Sequence, residues 1–389
     1  MISKRLPYLL AYYAVLFGVG IMAACLGPAM PALAQKLGTD LKSVSVLLAL
    51  RPLGYMAGTY LCGRLMARLP GHRVLAGGVA LAALGLAIIP HSPSLGLLTL
   101  AVCVMGLADG VLDVGSNTLL PWVFGKESGP YFNGLHFVFG VGALVTPLIM
   151  VAAMRHSLEL AFSLLALLFI PLLPWLWRLP SPRHDHDEAA ADPRNGKEQG
   201  ALLWLVAALF FCYGGAEVSF GSWIFSYARA TGLADEAQAG RINSLYWGAL
   251  SLGRLAAVWV ALRASVAWML GVDVLGTLLS LGLILLLPNS ATVLWLGAAG
   301  TGIFMASFFP SLLAAASAKL SPSGDGKVAA STTAKFFLGS SLGAILQPWL
   351  CGQGFESRGP AWALEVVFVA TLVQGALLGM LGWKLRTPK

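Results

Sequence analysis

Charge is scarce in this chain. Of 389 residues only 11% are Asp, Glu, Lys or Arg, while 58% are hydrophobic. A soluble domain carries about a quarter charged residues, so an ordinary water-facing surface is excluded and most of the exterior must face lipid. Cysteine is sparse too. Cys25, Cys62, Cys103, Cys212 and Cys351 all fall in apolar segments and make no C-x-x-C pair. They read as small buried hydrophobes, not as a disulfide framework or a metal site. Neither G-x4-G-K-[ST] nor H-E-x-x-H occurs, so ATP drive and zinc proteolysis have no support. No cofactor is expected beyond a coupling ion.

What the chain has instead is apolar runs of about 20 residues, the length that crosses a bilayer core as helix. Twelve are expected: 7–33, 42–67, 73–91, 95–121, 130–154, 157–178, 201–229, 237–262, 264–288, 291–318, 327–351 and 361–384. The predicted fold class is therefore an all-α membrane protein. Its 45 glycines and 21 prolines lie largely within those runs, which membrane helices tolerate because neighbours satisfy freed backbone groups. Short loops join the runs, with one exception. The charged stretch 179–200 has no periodicity and divides the chain into six-helix bundles over 1–178 and 201–389. Its His184-Asp185-His186-Asp187-Glu188 tract reads as a solvated loop, since a flexible tract gives no fixed ligand geometry.

The net charge of +8 belongs to topology rather than to a nucleic-acid partner. With both termini cytoplasmic, 17 of the 25 Lys and Arg lie on the inner side and 6 on the outer, while Arg51 and Lys335 fall within the membrane. That bias is the positive-inside rule. A cell inner-membrane location and a monomeric state are expected. The stretch from Lys4 to Gln35 resembles a cleaved signal peptide, but its apolar run is long for one, so it is taken as the first span.

The two halves repeat each other. Gly58, Gly63, Arg64 and Leu65 read G-x4-G-R-L, and so do Gly248, Gly253, Arg254 and Leu255. Gly142-Ala143 precede Pro147 at the spacing by which Gly343-Ala344 precede Pro348. Paired six-helix halves enclosing a midplane site are an established transporter architecture.

Ionisable groups within hydrocarbon cost about 2.5–3.5 kcal/mol on insertion scales, so each is a functional candidate. Asp109, Asp113 and Asn117 are spaced i, i+4, i+8 and share one helix face. Two adjacent carboxylates repel, which makes a proton or cation their natural third party. Arg51 is either an ion-pair partner for one of them or an anchor for an anionic substrate. On the fifth span, Asn133, His136 and Gly140 share a face, and a histidine there can donate to a hydroxyl or move a proton. Glu217 is followed on its own face by Phe220, Trp223 and Tyr227, an acid beside an aromatic platform of the kind that holds a neutral sugar. Asn243 and Trp247 share a face of the eighth span and are expected to contact substrate. Lys335 needs a carboxylate partner, with Glu217 the first candidate and Asp273 and Glu365 behind it.

The stretches GLADGVLDVGSNTLLPWVFG from Gly106, NGLHFVFGVGALVTPLI from Asn133, RPLGYMAGTYLCGRL from Arg51 and YGGAEVSFGSWIFSYA from Tyr213 resemble the major facilitator superfamily. Within it, they are most similar to the fucose/hexose–proton symporters and the sodium-dependent glucose transporter-like branch. The resemblance implies a proton-coupling, sugar-binding acid at Asp113 with Asn117 four residues on, and a sugar contact at His136. Some features depart from the pattern. Residues 8–27 hold no carboxylate, and Ala67 stands where the loop after the second span usually has Asp. The Arg in span 4 and the Gly-Pro-x-x-Gly-Gly motif typical of drug–proton antiporters are both missing. The implied function is H⁺- or Na⁺-coupled symport of a small polar solute, a monosaccharide first, by alternating access. The alternative is proton-driven export of a drug-like or amphiphilic compound. An intramembrane aspartyl protease is a remote third reading, because Asp109 and Asp113 share one helix.

Overall fold

A computed structural model of the protein describes residues 2–125, 128–182, 197–320 and 330–386. The 184–188 tract lies outside the described residues. Among the described residues the regular structure is entirely helical. The first half comprises α1 (Ile2–Ala24), α2 (Leu26–Lys36), α3 (Leu41–Val44), α4 (Val46–Met66), α5 (Gly71–Ile88), α6 (Leu95–Phe124), α7 (Ser128–Met154), α8 (Leu158–Leu167) and α9 (Leu172–Arg178). The second comprises α10 (Lys197–Ala230), α11 (Glu236–Ala261), α12 (Val266–Leu286), α13 (Ala291–Met305), α14 (Phe308–Leu320), α15 (Ala330–Phe355) and α16 (Ala361–Arg386).

The chain writes its own helix starts. Asp40, Ser94, Ser157, Ser265 and Ser290 each accept, through the side chain, the backbone N–H three residues on. Each thereby satisfies one of the donors a helix N-terminus leaves open. Before α11 the cap is reciprocal: Asp235 accepts from Gln238 N–H, and the Gln238 side chain accepts from Asp235 N–H, a capping box.

Four expected spans are broken rather than continuous, the second of them at Ser45 between α3 and α4. Pro28 cannot bond back to Ala24, and the first span bends at Cys25 between α1 and α2. The sixth is interrupted between α8 and α9, just before and at Pro171. The tenth is interrupted at Ala306–Ser307, between α13 and α14. Counting across these breaks, ten segments are long and apolar enough to cross a membrane. The expected run 237–262 and the described part of 327–351 are helical, as α11 and α15, but are not among the ten. Asn243, Ser251 and Arg254 in one, and Ser340, Ser341 and Gln347 in the other, dilute their hydropathy.

Contacts divide the chain into two compact units, Met1–Asp185 with Ile224–Gly248 and His186–Trp223 with Ala249–Lys389. In the first, α4 and α6 pack along their length through glycines. A Cβ on Gly54 or Gly58 would strike the carbonyl oxygen of Cys103 or Leu107, and one on Gly106 or Gly110 that of Arg51 or Tyr55. The partner offset is constant along each row, so the two helices run parallel, and small residues are what allow their backbones to approach this closely. α1 and α7 pack the same way, Gly20 against Phe139 and Gly142 against Phe17. The second unit repeats that pair in α10 and α15: Gly339 meets the Ala207 carbonyl and Gly343 that of Phe211. The repeat legible in the sequence is thus a repeat of helix pairing.

Candidate functional site

The parallel packing of α4 on α6 sets a polar ladder inside the first unit. Arg51 and Tyr55 are one helical turn apart on α4, as Asp109 and Asp113 are on α6. The shared offset of 58 residues joins each to its opposite number. Arg51 Nη2 donates to Asp109 Oδ2 in an ion pair whose side chains are 16% and 5% exposed. One turn further on, Tyr55 Oη donates to Asp113 Oδ2 at 2.7 Å, and Asn117 Nδ2 donates to Asp113 Oδ1 at 2.9 Å.

The two acids are therefore held differently. Asp109 is buried against the Arg51 guanidinium. Asp113 is half-buried and held by two neutral donors. Loss of its negative charge would strand no buried partner charge. Of the two roles open to Arg51, the structure shows the ion-pair one.

The remaining candidates in the first unit lie on other helices. Asn133 and His136 lie on α7 and are exposed, while Asn243 and Trp247 on α11 are buried.

In the second unit Glu217 is bound by Arg254, whose Nη2 donates to Oε1 at 2.9 Å. Tyr213, one turn before Glu217, faces the same pair. Lys335 is exposed, so the carboxylate first expected opposite it is taken by the arginine of the repeated G-x4-G-R-L motif. The aromatic platform expected beside Glu217 is packed away. Phe220 and Trp223 are fully buried, Trp223 Nε1 donates to the Pro348 carbonyl at 2.9 Å, and its ring lies 4.9 Å from that of Phe355. Trp223 fastens α10 to α15 in this structure and does not offer a face to a solute.

Sequence reasoning missed Tyr55 and Arg254. The i, i+4 spacing of Arg51 and Tyr55 matches that of the two aspartates and signals a facing ladder. Arg254 carries no such signal, because a basic residue near a span end usually snorkels to the interface.

Residues 12–272 match the Major Facilitator Superfamily. Sodium-dependent glucose transporter 1A of Mus musculus is 27% identical over 378 residues, covering 87% of this chain and 88% of that protein. Sodium-dependent glucose transporter 1 of Homo sapiens is 27% identical over 373 residues, covering 86% and 71%. Among solved structures, a mutant form of the nucleoside transporter NupG superposes with a TM-score of 0.78 over 96% of this chain and 99% of that one, at 14% identity. At that identity the likeness speaks for the fold alone.

Proposed function

The chain belongs to the Major Facilitator Superfamily, a family of membrane transporters and not of enzymes, and from that premise we propose that it is an ion-coupled symporter of a monosaccharide-like solute. Asp113 is the coupling group in this reading. The observation that carries it is the contrast on α6: Asp109 is paired with Arg51, whereas Asp113 is held, among the described residues, by the neutral donors of Tyr55 and Asn117. A site that binds and releases a cation in each cycle needs a carboxylate whose charge is not already cancelled.

The names of its relatives support a sugar as the first solute to test and Na⁺ beside H⁺ as the ion. Asn117 and His136 are the solute contacts proposed from the resemblance, with Asn133, Asn243 and Trp247 as further positions to probe. Alternating access of the two halves, both termini in the cytoplasm, an inner-membrane location and a monomeric state complete the proposal. The missing Arg in span 4 and the missing Gly-Pro-x-x-Gly-Gly motif weigh against drug export.

The test is uptake into proteoliposomes under an imposed Na⁺ or H⁺ gradient, with a panel of labelled monosaccharides. Wild type should concentrate one of them. Asp113→Asn should lose gradient-driven accumulation while keeping solute exchange at equal concentrations. Unimpaired accumulation in that variant would remove Asp113 from the mechanism.

A further inference from the structure

A second buried acid lies in the other unit, and its surroundings differ from those of every carboxylate above. Asp273 sits on α12 at 7% exposure. Its one hydrogen bond among the described residues is from Ser307, whose hydroxyl donates to Oδ2 at 2.5 Å. Ser307 stands at the break between α13 and α14. An interruption in a membrane-spanning segment is where transporters build ion sites, because it frees polar groups at membrane depth.

Asp273 also lines a cavity, together with Tyr213, Thr277, Phe304, Phe308 and Gln374. The free space is about 10 Å³ for the centre of a water-sized particle, room for about one water and far too little for a sugar. Thr277 and Gln374 are 3% and 4% exposed, and neither makes a side-chain hydrogen bond among the described residues. Their polar ends are left to serve whatever occupies that space.

No basic group pairs with Asp273 among the described residues. Of the helices packed on α12, α13 carries no ionisable residue and α14 carries only Lys319, which is exposed. On α16 the nearest are Glu365, nine residues before Gln374, and Lys384, ten after it, each about two and a half turns away. Tyr213, against Glu217 and Arg254, is the titratable group at the cavity itself. An uncompensated carboxylate in such a place is heavily penalised.

We propose that Asp273 is a proton-binding site in the second unit, separate from Asp113, with Ser307 fixing Oδ2 and Oδ1 carrying the proton toward the cavity. Its part in the transport cycle rests on the ion-coupled reading above, but its occupancy does not.

Infrared spectroscopy of the full-length protein in lipid tests this without any solute. At neutral pH the wild type should show a protonated-carboxyl stretch that disappears on alkaline titration. Asp273→Asn should lack that band and Asp113→Asn should keep it. Ser307→Ala should shift its frequency by removing the hydroxyl donor, which keeps the assignment testable if the Asp273 variant does not fold. A spectrum without a band attributable to Asp273, a band untouched by Ser307→Ala, or one abolished by Na⁺ at constant pH would each overturn the proposal. A band that behaves as expected beside uptake indifferent to ion gradients would sink the symport reading and leave this site standing.

Discussion

Replacing Arg51 by methionine probes the ladder most directly, because it removes the cation and nearly preserves the volume. Asp109 would then sit buried, its side chain 5% exposed, with no compensating charge. Breaking a buried pair from one side costs about 3–5 kcal/mol. The carboxyl has an escape, which caps that figure: it can take up a proton. Holding a proton at pH 7 on a group whose ordinary pKa is about 3.9 costs about 1.4 kcal/mol for each of roughly three pH units, or about 4 kcal/mol. The sign follows from linkage. The folded variant would bind a proton that the unfolded chain releases, so its deficit should be largest at high pH and shrink as pH falls. At pH 5 the cap drops to about 1.5 kcal/mol. Thermal unfolding in detergent or nanodiscs should therefore show Arg51→Met well below wild type at pH 7 and closer to it at pH 5. The double variant Arg51→Met/Asp109→Asn should recover most of the loss at every pH, since replacing both partners leaves no stranded charge. A pH-independent deficit, or a double variant no better than the single, would refute the claim that the pair is a buried charge balance.

Gly110→Ala should destabilise by about 1–3 kcal/mol, since its methyl would fall on the Tyr55 carbonyl and force α4 away from α6. Gly77→Ala, with open space around the added carbon, should be neutral or stabilising by up to about 1 kcal/mol, and thermal unfolding of the two side by side is the check. Trp223→Phe should lower stability by about 2 kcal/mol through loss of the bond to Pro348. It should leave the half-saturating solute concentration in uptake within twofold, whereas a large change would restore Trp223 as a solute contact.

How much of this was legible in the sequence depends on the distance over which each feature is decided. Helix starts were, because Asp40, Ser94, Ser157 and Asp235 act on residues three positions away. The α6 face was, because Asp109, Asp113 and Asn117 are related by helix geometry alone. Partners across helices were legible only where packing register could be read, as Gly106 and Gly110 opposite Arg51 and Tyr55 show in retrospect. The pairing of Glu217 with Arg254 spans 37 residues and two helices. Nothing local distinguishes it from Glu217 with Lys335. Trp223 misled for a related reason: periodicity places an indole on the face of an acid, but only the position of α15 decides whether a carbonyl is waiting for its N–H. The break at Ser307 was legible in the same way as that at Cys25: Pro310, three positions later, cannot bond back to Ala306, as Pro28 cannot to Ala24.

The acids within the helices fall into two kinds, and the kinds recur in both units. Asp109 and Glu217 are each bound by an arginine, so neutralising either would strand a cation. Asp113 and Asp273 each accept from a hydroxyl, of Tyr55 and Ser307, and neither is paired with a cation among the described residues. Removing the hydroxyl from Asp113 gives a test with a sign. Tyr55 donates to the ionised carboxylate, and a hydrogen bond to a charged group contributes about 1.5 kcal/mol or more, close to tenfold in an equilibrium constant. Tyr55→Phe should then strengthen proton binding, moving the pH of half-maximal H⁺-driven uptake up by about one unit. A Na⁺ ion leaves the carboxylate ionised and still accepting from Tyr55, so under Na⁺ coupling the pH midpoint should stay put. If the variant alters neither the pH midpoint nor the Na⁺ dependence of uptake, the ion binds elsewhere, and the difference between hydroxyl-held and arginine-held acids has no bearing on coupling.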